Sequence, residues 1–338
     1  MRETRSMVPV SLIPMLGSAA HSAILPSLTT GATAFGQSSL KTEPDFVAAL
    51  VLGGVPDIAV AWTRILRPRG IRLSLQGVFC HNRPQVTYPA SNASSLGSRL
   101  PQCELADLLL VIDDKTAGAP PTRRAALVQA KMAKGKPSIA LRGGDLVQLR
   151  LLQHWPPFNF VDKGFSKRSR DFNKAVTRPV AASSGLYGVI DKARPDWQQV
   201  ATPSIQQVSV SGAKFGDYLA GMADGSKAAT GRAAIPGGND DWSFTVDELL
   251  KVTGTSSFTV RSIASSPMRG MTKQAGLVFA FGQNGTTSWS YRLGDYWRQG
   301  GGGGSEPPAF FEDSPRQGIS SVHIVLEGEG VAAPEPKE

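Results

Sequence analysis

The chain has 338 residues, 41% hydrophobic and 19% charged, which is enough apolar content for a folded core and rules out a wholly disordered chain. Two cysteines exclude a disulfide framework and a zinc site made of cysteines alone. Basic residues outnumber acidic ones, 36 to 27, and the net charge of +9 favours a polyanionic partner, nucleic acid ahead of an anionic membrane.

Residues 1–40 are rich in Ser, Thr, Ala and Gly and show weak periodicity, so the expectation is a weakly ordered segment. Arg2 and Arg5 precede an apolar stretch at 7–16 that has the outline of a secretion signal. Glu3, Pro9 and Pro14 interrupt that outline, and no uninterrupted run of 18 apolar residues occurs. The expectation is therefore a cytoplasmic protein with no membrane segment and with Cys80 and Cys103 as reduced thiols.

A helix is predicted from about Pro44, with Thr42 as cap and Glu43 and Asp45 at the positive end, closing at Gly53-Gly54. A second helix is predicted over 57–66, stopped by Pro68 and Gly70. Ile71, Leu73 and Leu75 alternate with Arg72, Ser74 and Gln76, the pattern of a half-buried strand. Residues 82–100 read as a loop with an extended piece at 85–88. The apolar run at 108–112 has strand length, and 125–132 is a further strand. Residues 143–154 form a helix that Trp155-Pro156-Pro157 ends, and 186–190 is another strand.

Six basic residues and one acid lie between 163 and 178, and Lys163, Lys167, Arg168, Arg170 and Lys174 form a candidate phosphate-contacting surface. Trp155, Phe158, Phe165 and Phe172 fall in or beside this region; for Trp155 and Phe158 packing is the expected role ahead of base stacking. Beyond 195, short β-like pieces at 206–210, 258–263, 277–281 and 322–326 alternate with Gly/Ser/Thr loops, and one helix is expected near 245–252. Residues 300–304 are a glycine run and 330–338 a polar tail.

Chemistry concentrates between residues 103 and 131. Asp107 leads the first apolar strand, and Gln129 and Lys131 share one face of the next. If the two strands pair as a hairpin, a carboxylate, an amide and an ammonium meet at one end of a sheet. Hard oxygen donors hold Mg²⁺ together with waters. Such an ion polarises a phosphoryl group and acidifies bound water, and a nearby Lys orients that water and offsets developing charge. Three [D/E/Q]-x-K triplets occur, at Asp113, Gln129 and Glu335, but only Gln129-Ala130-Lys131 lies inside an apolar β-run after an acid-led strand. Gln148 falls on the following helix and could line the same cleft. Neither a P-loop nor a Gly-x-Ser-x-Gly elbow is present.

Asp107 and Gln129-Ala130-Lys131 together resemble the PD-(D/E)XK, or restriction-endonuclease-like, nuclease superfamily in its Q-x-K form, over roughly residues 40–190. The chain departs from the common pattern in having Ala106 before Asp107 and Gln129 in place of the second acid. The change of pattern beyond 195 sets off a less regular β-rich domain at 196–329, and the resemblance implies an α/β fold with an αβββαβ core at 41–195. It implies a Mg²⁺- or Mn²⁺-dependent DNA endonuclease, with restriction or phage defence as its setting. Asp107 would be the principal ligand, Gln129 a supporting one through its side-chain oxygen, Lys131 the water-orienting group, and Glu43 or Glu104 an additional ligand. A protein partner or a second copy could dock on the C-terminal domain. The competing expectation is a non-catalytic nucleic-acid-binding or assembly protein, because Gln129 lowers the negative charge available to a metal.

Overall fold

The computed structural model describes residues 8–31, 40–80, 84–89, 100–115, 121–174, 176–225, 229–255, 276–283, 286–290 and 318–328. The strand expected at 258–263, the glycine run at 300–304 and the tail at 330–338 lie outside the described residues. So does most of the expected loop at 82–100.

The architecture is mixed α/β, built on one 10-stranded mixed sheet with helices on both faces. Chain order begins with α1 (Ile13–Thr30), α2 (Glu43–Ala48), α3 (Val55–Leu66) and β1 (Ile71–Phe79). Then come β2 (Gln85–Thr87), β3 (Gln102–Glu104), β4 (Leu108–Lys115), β5 (Thr122–Ala133), β6 (Ser138–Ala140), α4 (Gly144–His154) and β7 (Asn159–Phe160). The chain continues through α5 (Arg178–Ala182), β8 (Gly185–Asp191), β9 (Asp196–Ala201), β10 (Gln207–Ser209), β11 (Ala213–Lys214), α6 (Phe215–Met222), β12 (Arg232–Ala234) and α7 (Asp241–Thr255). It ends with β13 (Gly276–Gln283), β14 (Thr286–Ser290) and β15 (Ser320–Gly328). The central sheet runs β11-β9-β8-β5-β4-β15-β1-β13-β14, and β12 pairs with the start of β5. β4 and β5 are antiparallel neighbours, while β5 and β8 are parallel and joined through α4.

Alternation along β5 divides its side chains between two cores. Ala126, Val128 and Ala130 face α1, α2 and α3, together with Leu108, Leu110 and Ile112 of β4. Ala125 and Leu127 face α4 and α7, together with Leu109 and Val111. Burial on both faces explains why 108–112 is apolar without alternation. The aromatics at 155–172 are core: Trp155, Phe158 and Phe172 are at most 1% exposed and pack ring against ring. Asn173 donates from its side chain to the carbonyls of His154 and Trp155, both at 2.8 Å, and so caps the end of α4.

Three expectations are corrected. First, much of the N-terminal segment is ordered as α1. Its buried positions Leu16, Ala20, Ile24 and Leu28, in step with Leu12 just before it, recur every four residues, a periodicity that small residues disguise. The Trp62 indole donates to the Leu16 carbonyl at 2.9 Å and ties α1 to α3. Second, Gly53-Gly54 does not end a helix. The chain passes through a π turn, Ala49–Gly54, directly into α3. The two glycines disfavour helix by about 1 kcal/mol each, and packing outweighs this: the space at Gly54 is filled by Ile24, and Gly77 of β1 lies against the Val51 carbonyl. Third, there is no boundary at 195/196, because that point falls in the turn between paired strands β8 and β9. β15 returns to the middle of the sheet, parallel to β4 and antiparallel to β1. The apolar pattern identified 322–326 as a strand but carried no information about its neighbours.

Two helical stretches, Val10–Thr30 and Glu43–Arg69, are long and apolar enough by length and composition to cross a membrane, and the second is mostly buried within the protein. The first packs against α6 backbone to backbone. A Cβ added at Gly216 would fall 2.2 Å from the Gly17 carbonyl oxygen. Gly216→Ala is therefore expected to push α1 off α6 and to cost about 1–3 kcal/mol, read as a lower urea midpoint without loss of secondary structure.

Candidate active site at one end of the central sheet

The β4–β5 hairpin pairs Leu108 with Val128, and the Asp107 amide extends the ladder by donating to the Val128 carbonyl at 3.1 Å. That register brings Asp107 beside Gln129. One oxygen of Asp107, Oδ2, accepts from the Ala130 amide at 2.7 Å and from the Gln129 side chain. Lys131 lies two residues on, on the same face as Gln129. Its ammonium sits 2.9 Å from Asp145 at the start of α4 and 3.6 Å from Glu43 at the start of α2. Glu43 also accepts from the Met132 amide at 3.0 Å, which fastens α2 to the end of β5. The α2 entrance is itself fixed by Asp45, which accepts from the amides of Thr42 and Lys41 at 2.8 and 3.0 Å.

Charge in the cluster is unevenly held. Asp107 is only half-buried as a residue, but protein encloses its carboxyl. Burial lifts that carboxyl to about 7; Lys131 and the hydrogen bonds from Ala130 and Gln129 oppose the rise, and Glu43 adds to it. Burial alone would lower Lys131, but Glu43, Asp145 and Asp107 prevail and hold its ammonium above the ordinary lysine value. Lys131 is therefore a cation at neutral pH.

Gln129 takes a different part from the one expected. A chain of amides runs from the Glu104 carbonyl, which accepts from Gln148 at 3.1 Å, through Gln148 to the Gln129 oxygen, and from the Gln129 nitrogen to Asp107. Both ends of the chain, a backbone carbonyl and a carboxylate, are acceptors, and this fixes each amide's orientation. The Gln129 oxygen thus faces Gln148 and is not offered to a metal; Gln129 holds Asp107 instead. Glu104 meets the cluster through its backbone carbonyl, which accepts from Gln148. Gln148 lines the site as the sequence allowed. Replacing it with Leu would strand the Gln129 oxygen and the Glu104 carbonyl. The expected cost is about 1–3 kcal/mol, measured by thermal unfolding.

The structure also brings in two residues that sequence reasoning passed over. Asp145 looks like an ordinary first-turn acid complementing the helix dipole, and only the crossover of α4 sets it against Lys131. Tyr187 pairs with Gln129 across β5 and β8, is fully buried, and has a hydroxyl without a hydrogen-bond partner among the described residues. No signal in the sequence distinguishes it from a core tyrosine.

Among the described residues no three His, Cys, Asp or Glu side chains gather closely enough to hold a metal by themselves. The donor set still suits a weakly held Mg²⁺, which is commonly bound by one or two carboxylates and several waters. Asp107 and Glu43 supply two carboxylates near one ammonium, and the second oxygen of Asp107 carries neither of the bonds described above. Cys80 and Cys103 are free thiols pushed up to about 12 by burial, which makes them poor ligands and nucleophiles.

The basic segment at 163–178 is only partly available as a surface. Arg170 is fully buried, bonded at 2.5 Å to Glu248 of α7 and set over the Phe244 ring. Arg168 pairs with Asp241. Arg170 is thus withdrawn from the expected DNA-contacting set, because a buried guanidinium needs a fixed counter-ion. Lys163, Lys167 and Lys174 remain exposed. Asp240 accepts from the amides of Trp242 and Ser243 at 3.1 and 3.0 Å and caps α7.

Comparison with protein-family models, with curated proteins and with solved structures yields no match. The fold and site together define a mixed α/β protein with a polar cluster at one end of its sheet.

Proposed function

We propose that the chain is a metal-dependent endonuclease that hydrolyses phosphodiester bonds in DNA. The observation that carries this reading is the convergence of Asp107, Lys131 and Glu43 from three separate elements on one end of the sheet. The chain order α2–α3, β1, β4, β5, α4, β8 supports an αβββαβ core, with β1 antiparallel to β15, β15 parallel to β4, and β8 parallel to β5. β15 is an insertion between the first two core strands.

Asp107 and Glu43 would hold a hard divalent cation, Mg²⁺ or Mn²⁺, whose chemistry is to polarise a phosphoryl oxygen and acidify water. Gln129 and the Ala130 amide fix the orientation of Asp107. Lys131, kept charged by Glu43 and Asp145, orients the attacking water and offsets charge building on the phosphate; a permanent cation is not suited to act as the base. Restriction or phage defence is the setting that this activity fits.

A second reading, a DNA-binding protein without cleavage, draws on the Gln129 oxygen facing Gln148 and on the raised Asp107 carboxyl, both of which weaken metal affinity. The test is cleavage of linear and supercoiled DNA with Mg²⁺, Mn²⁺ or EDTA. Metal-dependent cutting by the wild type supports the nuclease; a folded wild type that binds DNA and leaves it intact in both metals selects the second reading.

A further inference from the structure

Four stretches of chain end around Lys131, and each carries an exposed basic residue just beyond it. β5 runs on from Lys131 into a turn containing Lys134 and Lys136. The parallel strand β8 ends beside it, where the Lys192 amide donates to the Ala133 carbonyl at 3.2 Å. The two turns touch, since a Cβ at Gly135 would lie 3.7 Å from that of Ala193. Lys41 lies two residues before Glu43, and Arg142 accepts through its carbonyl from the Asp145 amide at 3.1 Å. Lys41, Lys134, Lys136, Arg142 and Lys192 are all exposed, and none has a carboxylate among the described residues within ion-pair distance. The nearest acid on these turns, Asp191, faces Arg194 at 3.8 Å.

We infer that these five residues form the track along which a DNA backbone crosses the protein, with Lys134, Lys136 and Lys192 at its centre. The inference rests on the nuclease reading for the identity of the site beneath the track, but the binding it describes needs no cleavage. Unpaired ammonium groups on two adjoining turns gain by replacing the counterions condensed on a polyanion. In the 163–178 segment this freedom is reduced to Lys163, Lys167 and Lys174, because Arg168 and Arg170 are committed to α7. An anionic membrane fits less well, since no exposed large hydrophobic residue falls on the 134–136 or 192–194 turns to anchor in lipid.

The experiment is a fluorescence-anisotropy titration of labelled duplex DNA in EDTA, repeated between about 50 and 200 mM salt. Wild type is compared with Lys134→Ala/Lys136→Ala/Lys192→Ala and with Lys163→Ala/Lys167→Ala/Lys174→Ala. The first variant is expected to bind at least about tenfold more weakly at low salt and to flatten the slope of log K against log salt by about 2–3, near 0.9 for each phosphate that is no longer neutralised. The second variant should stay close to wild type. Circular dichroism shows whether the exposed substitutions leave the fold intact. A wild-type slope in the first variant, or a loss confined to the second, overturns the track. So does binding to phosphatidylserine vesicles through these lysines with no binding to DNA. Because the titration contains no metal, a wild type that binds through the track and never cuts retires the nuclease alone, and one that cuts with the track variant unaffected retires the track alone.

Discussion

Lys131→Ala is expected to slow metal-dependent DNA cleavage by about 10²–10³-fold, the usual loss when one preorganised charge-stabilising group is removed. The effect should appear in the turnover rate and leave DNA affinity largely unchanged, because Lys131 is only 8% exposed and its ammonium is turned toward Glu43 and Asp145. Lys131→Arg keeps the charge but replaces a point cation with a planar fork that needs more room, so partial activity is expected. Asp107→Ala should abolish cleavage in both Mg²⁺ and Mn²⁺, since it removes the carboxylate on which Gln129 and Ala130 converge. Single-turnover cleavage of a defined duplex separates these effects. A Lys131→Ala enzyme cutting at the wild-type rate would sink the mechanism.

The largest stability effect is expected at the opposite end of the same hairpin. Arg123 donates to both oxygens of Asp113 at 2.5 and 2.8 Å and also bonds Asp247 of α7, while His323 of β15 lies 3.0 Å from Asp113. This network ties α7 and β15 to the β4–β5 hairpin, and both Arg123 and Asp113 are buried. Arg123→Met removes the cation that bonds both Asp113 oxygens and leaves only His323 beside that buried carboxylate, and the expected loss is about 3–5 kcal/mol, read from urea unfolding at neutral pH.

The pH dependence gives an independent check. Burial would raise the Asp113 carboxyl, but its bonds to Arg123 and His323 prevail and bring it down to about 2. A depressed carboxyl stabilises the fold above its unfolded value of about 3.9 and loses that contribution as pH falls toward 2; the amount is about 2–3 kcal/mol. Wild type should therefore lose stability between about pH 4 and 2. In Arg123→Met the Asp113 contribution should shrink, because burial still raises the carboxyl and only His323 remains to oppose it. Midpoints at neutral and acid pH that fall in parallel for the two proteins would contradict this account.

What could be read in the chain itself is tied to local pattern. Ile71, Leu73 and Leu75 alternate, residues 108–112 are uniformly apolar, and Thr42 with Asp45 opens a helix. These signals come from side-chain period and capping chemistry, which act over a few residues. The pairing of Asp107 with Gln129 and Lys131 was legible for the same reason, because a short hairpin brings near neighbours in sequence together across one turn. Small residues defeated the same method at α1, where Gly17 and Ala20 allow close packing but leave hardly any hydrophobic contrast.

Tertiary structure decided everything that depends on distant partners. Sequence alone pointed to a strand at 322–326, a helix at 143–154 and, on the condition that two strands pair as a hairpin, Asp107, Gln129 and Lys131 at one end of a sheet. Only the folded chain inserted β15 between β4 and β1, brought Asp145 against Lys131, turned the Gln129 oxygen toward Gln148, and buried Arg170 against Glu248. A strand's backbone pairs with any edge of suitable register, and a charged side chain takes whichever opposite charge the packing brings near. Both choices are set by residues dozens to hundreds of positions apart, which no short window of sequence contains.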